Sequence, residues 1–261
     1  MAQEESIIEV QNVSVGYDGF AVQKNLNFTV QAGEIFIIMG GSGCGKSTLL
    51  KHLTGLYTPV SGDVRLFGTS IVRSSGDEVR KLMRRFGVSY QSGALFSSMN
   101  VAENVEFPLL EHTSLSAAQR REIVAQKLAL VGLAEYGELM PSELSGGMKK
   151  RAGLARALAL EPELLFFDEP SSGLDPLNSA ELDQLILRLK RELGTTIVVV
   201  THELDSLFTI GDRVLMLDKK LRNIIADGSA EELLLHGAPP VRQFLSRNGE
   251  RQHKERESLQ A

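Results

Sequence analysis

Residues 35–47 read IFIIMGGSGCGKS, and this stretch decides the fold. Its apolar first half ends in glycine, which is typical of a fully buried strand. Residues 40–47 then fit the pattern G-x-x-x-x-G-K-[ST], and leucines at helical spacing follow Lys46. Glycines let the backbone curl so that its N–H groups face one point, and the start of a helix adds positive potential there. The stretch therefore predicts a phosphate-binding loop between a strand and a helix.

The polar side chains of this loop have predicted tasks. Lys46 is expected to reach the β- and γ-phosphates of a nucleotide, and Ser47 to offer its hydroxyl to Mg²⁺. We expect Lys46 and the backbone amides to favour the thiolate of Cys44, whose role is only that of a small residue that fits. On the motif alone, the alternative is a glycine-rich turn with an incidental lysine. The predicted nucleotide contacts are Gly40, Gly41, Ser42, Gly43, Cys44, Gly45, Lys46, Ser47 and Thr48.

Strand patterns and helix patterns alternate along the chain. Strands are predicted within residues 8–15, 26–30, 35–39, 164–167 and 195–201, and helical spacing follows Ser116 and continues over 182–193. This alternation predicts an α/β fold with a mainly parallel sheet covered on both faces. We expect one domain over residues 7–238, with the helix-rich residues 92–158 as an inserted subdomain. Residues 239–261 are expected to form a polar tail.

Composition restricts the classes of partner. The 261 residues carry a net charge of −5, and 43% are hydrophobic. The acidic balance argues against a nucleic-acid partner, and a single cysteine cannot form an internal disulfide. The strongest apolar runs, such as 35–39 and 197–200, are too short to cross a bilayer, and the acidic first residues, MAQEE, do not resemble a signal peptide. We expect a soluble chain that does any membrane work through a partner.

Two carboxylates follow an apolar strand, where residues 164–169 read LLFFDE. Asp168 is placed to hold Mg²⁺, and Glu169 to polarise an attacking water as general base. His202 follows the predicted strand 195–201, and the carboxyl ends of parallel strands gather ligands at one edge. Judged alone, the acidic pair is more often a solvated strand end and the histidine a helix cap. The phosphate loop upstream reverses that preference, so we expect all three residues at one site.

A serine-glycine motif completes the pattern, since residues 144–148 read LSGGM and lie about twenty residues before Asp168. In this order and spacing, the phosphate loop, the LSGGM motif, the acidic strand and the histidine resemble the ATP-binding cassette family over residues 7–237. The resemblance implies a P-loop NTPase fold, with a RecA-like core, an N-terminal antiparallel β-subdomain and the inserted α-helical subdomain. It also implies ATP and Mg²⁺ as cofactors and ATP hydrolysis as the activity.

The resemblance implies roles for individual residues. The matched residues are Tyr17 (stacking on adenine), Val22 (packing beside it), Gln91 (sensing Mg²⁺ and the attacking water), Ser145, Gly146 and Gly147 (clasping the γ-phosphate of ATP held by another subunit), Leu174 and Asp175 (crossing the dimer interface) and His202 (contacting the γ-phosphate as a switch). One chain then carries two half-sites for nucleotide. A second copy in a head-to-tail pair with two-fold symmetry is therefore implied.

Three segments point to a narrower branch. The usual signature ends in glutamine, whereas this one ends in Met148, and residues 91–96 and 104–109 read QSGALF and NVEFPL. These segments resemble the ATPase subunit of MCE-type phospholipid transporters. The resemblance implies an integral membrane permease, MCE-domain and STAS-domain subunits, and phospholipid as the cargo of the complex. It also implies peripheral attachment, through the permease, to the cytoplasmic face of a bacterial inner membrane.

Two other functions stay open at this point. One is the ATPase of an importer for a polar solute such as an amino acid. The apolar residues 94–110 favour lipid transport over it, because they differ from the usual polar-solute pattern. We expect this segment to couple the nucleotide site to the permease. The other is a cassette ATPase that acts on DNA or ribosomes, which usually has long coiled-coil insertions or two cassettes in one chain.

Overall fold

The structure, a computed structural model, describes residues 6–246 of the chain. The strands are β1 (Ser6–Tyr17), β2 (Phe20–Gln31), β3 (Ile35–Gly40), β4 (Ser61–Leu66), β5 (Thr69–Ser70), β6 (Phe86–Ser89), β7 (Leu164–Asp168), β8 (Thr196–Val200), β9 (Arg213–Asp218) and β10 (Asn223–Gly228). The helices are α1 (Lys46–Leu53), α2 (Gly76–Met83), α3 (Val101–His112), α4 (Ala117–Leu130), α5 (Gly146–Ala157), α6 (Pro176–Leu193), α7 (Leu204–Ile210) and α8 (Ala230–His236). A 3₁₀ turn, Pro141–Glu143, precedes α5, and residues 239–246 form a further helical segment. Within residues 6–246, no helix is both long enough and apolar enough to span a bilayer.

The central sheet has the strand order β10-β9-β3-β8-β7-β6. The strands from β9 to β6 run parallel, and the edge strand β10 pairs antiparallel with β9. Every residue of β3 and β8 is buried, because both faces of these central strands meet a hydrophobic core. The predicted α/β fold with a mainly parallel sheet is confirmed, and β3, β8 and β7 end at a common edge.

A second, antiparallel sheet is built from the N-terminal part of the chain, in the order β2-β1-β4-β5. The turn between β1 and β2 contains Asp18 and Gly19, both with positive φ. The rings of Phe28 in β2 and Phe36 in β3 stack with their centroids 5.6 Å apart, which joins the two sheets. The predicted N-terminal antiparallel β-subdomain is confirmed, and it lies against the core that carries the phosphate loop.

The helices α3, α4 and α5 pack on one another in the middle of the chain. Asn100 and Ser116 begin α3 and α4 with capping boxes, in which the cap accepts from the third helical residue and that residue's side chain reaches back. A cap of this kind typically contributes about 1 kcal/mol. The capping box predicted at Ser116 is confirmed, and so is the helical subdomain, while its limits at 92 and 158 stay a prediction.

The polar tail begins later than the sequence suggested. Val241 and Leu245 are 1% and 0% exposed and belong to the same core cluster as residues of the central sheet. The boundary at residue 239 therefore does not hold for residues 239–246. These two apolar residues lie four positions apart, so they share one face of the helical segment and dock it on the core. In the sequence, two apolar residues are too few to distinguish such a segment from a polar tail. Residues 247–261, the rest of the predicted tail, lie outside the described residues.

A buried carboxyl group lies between α6 and α7. Asp183 is 6% exposed, and Ser206 Oγ donates a hydrogen bond to its Oδ2 at 3.0 Å. Burial raises the pKa of Asp183 from 3.8 to about 6, and the charges of Glu203 and Asp205 act in the same direction. Between these two pKa values the folded chain holds a proton that the unfolded chain has lost. The ionisation of Asp183 therefore lowers the free energy of unfolding as the pH rises through this window.

We predict that Asp183→Asn, which cannot ionise and still offers an acceptor to Ser206, raises the melting temperature by a larger margin near pH 7.5 than near pH 4.5. Thermal melts of both chains at the two pH values measure this margin. Glu192→Gln, at the exposed end of α6, is the control and should give the same shift at both. An equal margin for Asp183→Asn at the two pH values would show that this carboxyl does not set the pH dependence.

Candidate nucleotide site

The phosphate loop lies between the end of β3 and the start of α1. Gly43 and Gly45 have φ of 70° and 104°, a region that glycine enters without the steric cost of a Cβ. Gly45 is the N-cap residue of α1, and the N–H of Cys44 donates to the carbonyl of Gly41 at 3.1 Å. The loop therefore curls back on itself before the helix begins. This is the local conformation that lets successive N–H groups converge on an anion.

Lys46 points from the first turn of α1 back towards the loop. Its Nζ donates to the carbonyl of Gly40 at 3.1 Å and lies 3.9 Å from Glu169 Oε1. The residue is 8% exposed, so its ammonium group is largely withdrawn from water and is held between a carbonyl and a carboxylate. That position suits a cation that binds phosphate next to the end of β7.

Ser47 and Asp168 meet across the gap between α1 and β7. Ser47 Oγ donates to Asp168 Oδ1 at 2.8 Å, and both residues are partly exposed. A hydroxyl and a carboxylate side by side fit Mg²⁺, which takes hard oxygen ligands. In the described part of the chain, no group of three or more His, Cys, Asp or Glu side chains forms a metal cage. The two oxygens of this pair would leave most of the octahedral shell of Mg²⁺ to phosphate and water oxygens.

Glu169 and His202 form the opposite side of the site. His202 Nδ1 lies 2.7 Å from Glu169 Oε2, and the N–H of Glu169 donates to the carbonyl of Val200 at 2.8 Å. Glu169 has a φ of 50°, in the left-handed region that non-glycine residues enter at a cost. The Glu169 side chain is only 12% exposed, whereas that of His202 is 58% exposed. A carboxylate in this position can take a proton from water at the rim of the loop, with the imidazole orienting it.

Aromatic side chains stand beside α1. Tyr17, 39% exposed, shares a hydrogen bond of 3.2 Å with Thr48 through its hydroxyl. Its ring meets Tyr57 edge-on with the centroids 5.4 Å apart. Val22 packs on the loop, since a Cβ at Gly45 would lie 2.9 Å from Val22 Cγ1. The structure thus brings Tyr17, Val22 and the loop together, and it adds Tyr57, which the sequence did not single out.

Gln23 is a further residue that the sequence analysis missed. It is fully buried, and its Nε2 donates to the carbonyl of Cys44 at 2.6 Å and to that of Asp218 at 2.9 Å. It therefore ties the phosphate loop to the end of β9. No sequence signal marked it, because Gln23 lies before the strand predicted at 26–30, whereas β2 begins at Phe20.

The expected thiolate character of Cys44 is wrong. Cys44 is 1% exposed, and burial raises the pKa of its thiol by more than Lys46 and the neighbouring backbone N–H groups lower it. A thiol near neutral pH is then protonated. Cys44 acts here as a small apolar residue that fills the base of the loop, as its size alone suggested.

The serine-glycine motif stands at another helix start. Ser145 is the N-cap residue of α5, and its Oγ accepts from the N–H of Met148 at 3.2 Å. Asp175 likewise caps α6, with its Oδ1 accepting from the N–H groups of Leu177 and Asn178 at 3.1 Å. Within residues 6–246, the hydrogen bonds of Ser145 and Asp175 stay in their own helices and do not reach residues 40–48. Ser145, Gly146 and Asp175 are exposed, so this half of the predicted constellation faces outward.

A short network connects α5 to the loop after β7. Gln91 Nε2 donates to Ser172 Oγ at 3.1 Å. Lys150 Nζ donates to the carbonyls of Pro170 at 2.8 Å and Glu169 at 3.5 Å, and to that of Ser172. Gln91 therefore reaches the loop that carries Glu169 and not the phosphate loop itself. The contacts of Lys150 depend on residues far along the chain, which is why its sequence position gave no sign of them.

The chain is similar to known ATP-binding proteins. A model of the family described as ABC transporter matches residues 23–172. The intermembrane phospholipid transport system ATP-binding protein MlaF of Escherichia coli is 44% identical over 92% of this chain and 88% of its own length. The probable ribonucleotide transport ATP-binding protein mkl of Mycobacterium tuberculosis is 43% identical over 94% of this chain and 67% of its own length.

Solved structures of the same fold are also similar to the chain. A dimeric ATP-binding cassette in a post-hydrolysis state, bound to ADP and Pi, aligns with a TM-score of 0.77 and 30% identity, covering 85% of this chain and 98% of its own. The protein cbiO1 of Clostridium perfringens, part of the ABC transporter complex cbiONQ, aligns with a TM-score of 0.78 and 28% identity. It covers 89% of this chain and 96% of its own.

The loop geometry predicts different tolerances at two adjacent glycines. Gly40 has a φ of 152°, and a Cβ there would lie 2.5 Å from the carbonyl oxygen of Leu217 and 2.7 Å from Cys44 Sγ, whereas a Cβ at Gly41 meets open space. We predict that Gly40→Ala lowers the free energy of unfolding by about 1–3 kcal/mol more than Gly41→Ala does. Urea denaturation of the two variants measures the difference. Equal stability of the two variants would mean that β3 and β9 can separate without cost at this point.

Proposed function

The chain belongs to the ABC transporter family, and we propose that it is the ATP-hydrolysing subunit of a transporter that moves phospholipid between the two membranes of a bacterium. The single observation that carries the ATPase mechanism is the convergence of Lys46, Ser47, Asp168, Glu169 and His202 at the edge where β3, β7 and β8 end. These five residues supply a phosphate-binding cation, two metal-binding oxygens, a base and its orienting partner.

Binding of ATP is assigned to the loop and the aromatic residues beside it. N–H groups within residues 40–48 and Lys46 Nζ are assigned to the phosphates, because the loop ends at the start of α1 and Lys46 points back towards it. Tyr17 and Val22 receive the adenine ring. This assignment is supported by the exposure of Tyr17 and its contact with Thr48, and by the position of Val22 beside Gly45. Tyr57 packs edge-on against Tyr17 and so limits how far the Tyr17 ring can tilt.

The metal assigned to the site is Mg²⁺, and Ser47 Oγ and Asp168 Oδ1 would hold it together with Gln91. Bound there, Mg²⁺ neutralises charge that develops on the phosphate oxygens. The 2.8 Å contact between Ser47 and Asp168 supports this pair as neighbouring ligands. We also assign Gln91 to contact the attacking water. Its hydrogen bond to Ser172, in the loop after Glu169, supports this role.

Glu169 is assigned as the general base. It accepts the proton of the attacking water while the oxygen of that water bonds to the γ-phosphorus and the bond to the ADP oxygen breaks. His202 Nδ1, 2.7 Å from Glu169 Oε2, holds the carboxylate in the direction of the water and can also contact the γ-phosphate. Lys46 Nζ lies 3.9 Å from Glu169 Oε1, so it provides positive charge next to both the carboxylate and the γ-phosphate.

A second copy of the chain is the proposed partner that completes the site. Ser145, Gly146 and Gly147 lie at the start of α5, where N–H groups favour an anion. Ser145 and Gly146 are exposed, and Asp175 faces outward at the start of α6. We assign Ser145 and the two glycines to the γ-phosphate of ATP on the partner, and Leu174 and Asp175 to the interface. The similarity to cassettes solved as dimers supports a two-fold pair.

The cargo is proposed from the relatives and from the segment after Gln91. The relatives differ in their names, since one group is named for phospholipid transport and another for ribonucleotide transport at nearly the same identity. This chain spans 88% of the Escherichia coli phospholipid protein but 67% of the mycobacterial one. The closer match in length favours phospholipid over ribonucleotide or another polar solute. A permease, MCE-domain and STAS-domain subunits, and attachment to the cytoplasmic face of an inner membrane complete the proposal.

The surface proposed to couple with the permease is the segment from Ala94 to Leu110. Buried Asn104 fixes its backbone, since Nδ2 donates to the carbonyls of Phe96 and Met99 and Oδ1 accepts from the N–H of Phe96. The Phe96 ring is nevertheless 44% exposed, and it packs on Phe107 with the centroids 5.0 Å apart. An exposed aromatic side chain on a fixed backbone is typical of a docking residue.

We predict that Glu169→Gln lowers ATP turnover by about 10²- to 10⁴-fold, because the amide keeps the size of the base but cannot accept the proton. ATP should still bind, so the variant should accumulate as an ATP-bound dimer. Turnover assays measure the first effect, and size-exclusion chromatography with ATP measures the second. The matched control is Glu163→Gln, a carboxylate just before the other end of β7 that pairs with Arg85, which should keep its turnover.

Near-normal turnover of Glu169→Gln would remove Glu169 from the role of base. Loss of turnover with a strictly monomeric variant at saturating ATP would contradict the proposed pair of subunits and leave the base in place.

We predict that Phe96→Asp leaves the chain folded and able to bind ATP but prevents its assembly with the permease. Co-purification with the membrane subunits measures assembly. The matched control is Tyr136→Asp, since Tyr136 is also an exposed aromatic residue, at 42% exposure, but lies in the loop after α4. The coupling role fails if both variants assemble equally well.

The cargo is tested on the complex that the unaltered chain forms. Native mass spectrometry should find glycerophospholipid bound to it, and movement of labelled phospholipid between membranes should stop in Lys46→Ala and Glu169→Gln. A complex that holds a ribonucleotide or another polar solute, and no lipid, would transfer the proposal to solute import and would leave the ATPase mechanism standing.

A further inference from the structure

Lys150 joins the serine-glycine motif to the loop after β7. It lies in α5, on the turn that follows Ser145. Its Nζ donates to the carbonyl oxygens of Glu169, Pro170 and Ser172. An ammonium group has three N–H donors and no acceptor. These three carbonyls therefore use the full hydrogen-bonding capacity of one side chain.

The loop that Lys150 holds contains a strained residue. The φ of 50° at Glu169 costs on the order of 1 kcal/mol or more for a residue with a Cβ. The Glu169 N–H is held by the carbonyl of Val200 at 2.8 Å, and its carbonyl accepts from the N–H of Ser172 at 3.2 Å. A strained backbone keeps its conformation only when several contacts fix it, and Lys150 supplies one of them at the Glu169 carbonyl. The direction in which the Glu169 side chain leaves the backbone then depends in part on Lys150, whose Nζ lies 3.5 Å from the Glu169 carbonyl and 2.8 Å from that of Pro170.

Ser172 receives hydrogen bonds from two separate parts of the chain. Its hydroxyl accepts from Gln91 Nε2 at 3.1 Å, and its carbonyl accepts from Lys150 Nζ. A shift of α5 would therefore move the backbone that carries Glu169 and the partner of Gln91 at the same time. One side chain thus connects the start of α5 with both residues assigned to the attacking water.

The chemistry of Lys150 suits this connection. Burial lowers the pKa of its ammonium group, while the charges of Glu203 and Glu169 raise it. Withdrawing a charge from water is costly unless its donors are satisfied, and the three carbonyls satisfy them. Methionine has a similar length but no hydrogen-bond donor. The carbonyls of Pro170 and Ser172 would therefore lose the hydrogen bonds that they accept from Lys150 Nζ. Arginine would retain the charge and N–H donors that can reach the same loop.

We propose that Lys150 is a positioning residue that transmits the position of the serine-glycine motif to Glu169 of the same chain. The inference rests on the proposed function, in which that motif binds the partner's ATP. In a two-fold pair, the motif of one chain belongs to one site and its Glu169 to the other. Lys150 therefore connects the two ATP sites, and we expect this connection to make ATP hydrolysis by the pair cooperative.

The test compares Lys150→Met with the unaltered full-length chain. ATP turnover is measured against ATP concentration, and nucleotide affinity is measured separately with a fluorescent ATP analogue. Turnover should fall about 10- to 100-fold, because small displacements of a base are costly, while nucleotide affinity should change by less than about twofold. The Hill coefficient for ATP should fall from above 1 to about 1. Lys150→Arg should restore most of both.

Lys149→Met is the matched control, since it removes the same charge from the adjacent residue of α5, and it should keep turnover and cooperativity. The proposal is overturned if Lys150→Met turns over at the normal rate, if its affinity falls as much as its turnover, or if its Hill coefficient is unchanged. Should Lys150→Met fail to fold, Lys150→Ala, which also lacks a side-chain donor, decides by the same three readouts. Absence of ATP turnover in the unaltered chain would instead refute the proposed ATPase. Measuring the unaltered chain first therefore separates that failure from a failure of the Lys150 proposal.

Discussion

The parallel ladder of β3, β8 and β7 is the constraint on which the site depends. Ile38 pairs with Val200, and Val200 pairs with Asp168, so the three strands end in register. The segments that follow these strands leave the sheet at the same edge. Backbone hydrogen bonds between the strands therefore bring the phosphate loop, Glu169 and His202 close together.

Hydrophobic burial keeps this ladder in register. Residues 35–39 and 196–200 are almost wholly inaccessible to water, and their side chains divide between two core clusters on the two faces of the sheet. A slip of one residue would exchange the two faces and would also move Glu169 and the loop relative to each other. The same packing that stabilises the fold therefore sets the distances within the site. The register also supplies one of the contacts that hold Glu169 at its unfavourable φ, because the Glu169 N–H donates to the carbonyl of Val200 at the end of β8.

The sequence predicted those parts of the molecule whose signals are local. The strand, loop and helix at 35–53 follow from one apolar run, four glycines and a lysine. The carboxylates at 168 and 169 follow from the strand that precedes them. Gln23 and Lys150 could not be predicted in this way. Gln23 contacts a carbonyl 195 residues away, and Lys150 depends on three carbonyls that converge only after folding. The thiol of Cys44 was misjudged for the same reason, because its pKa depends on burial that no local pattern reveals.

The two halves of the proposed site differ in exposure, and the difference bears on how a pair of subunits would form. Lys46 and Glu169 are largely buried within one chain, whereas Ser145, Gly146 and Asp175 are exposed. These three outward residues are small or polar, so they offer little apolar area to hold two copies together. At these residues, the free energy for closing such a pair must then come from the phosphates that both copies bind. By linkage, a dimer stabilised by its ligand separates when that ligand is hydrolysed and released, so a polar and weakly adhesive surface is what a cycle of closing and opening requires.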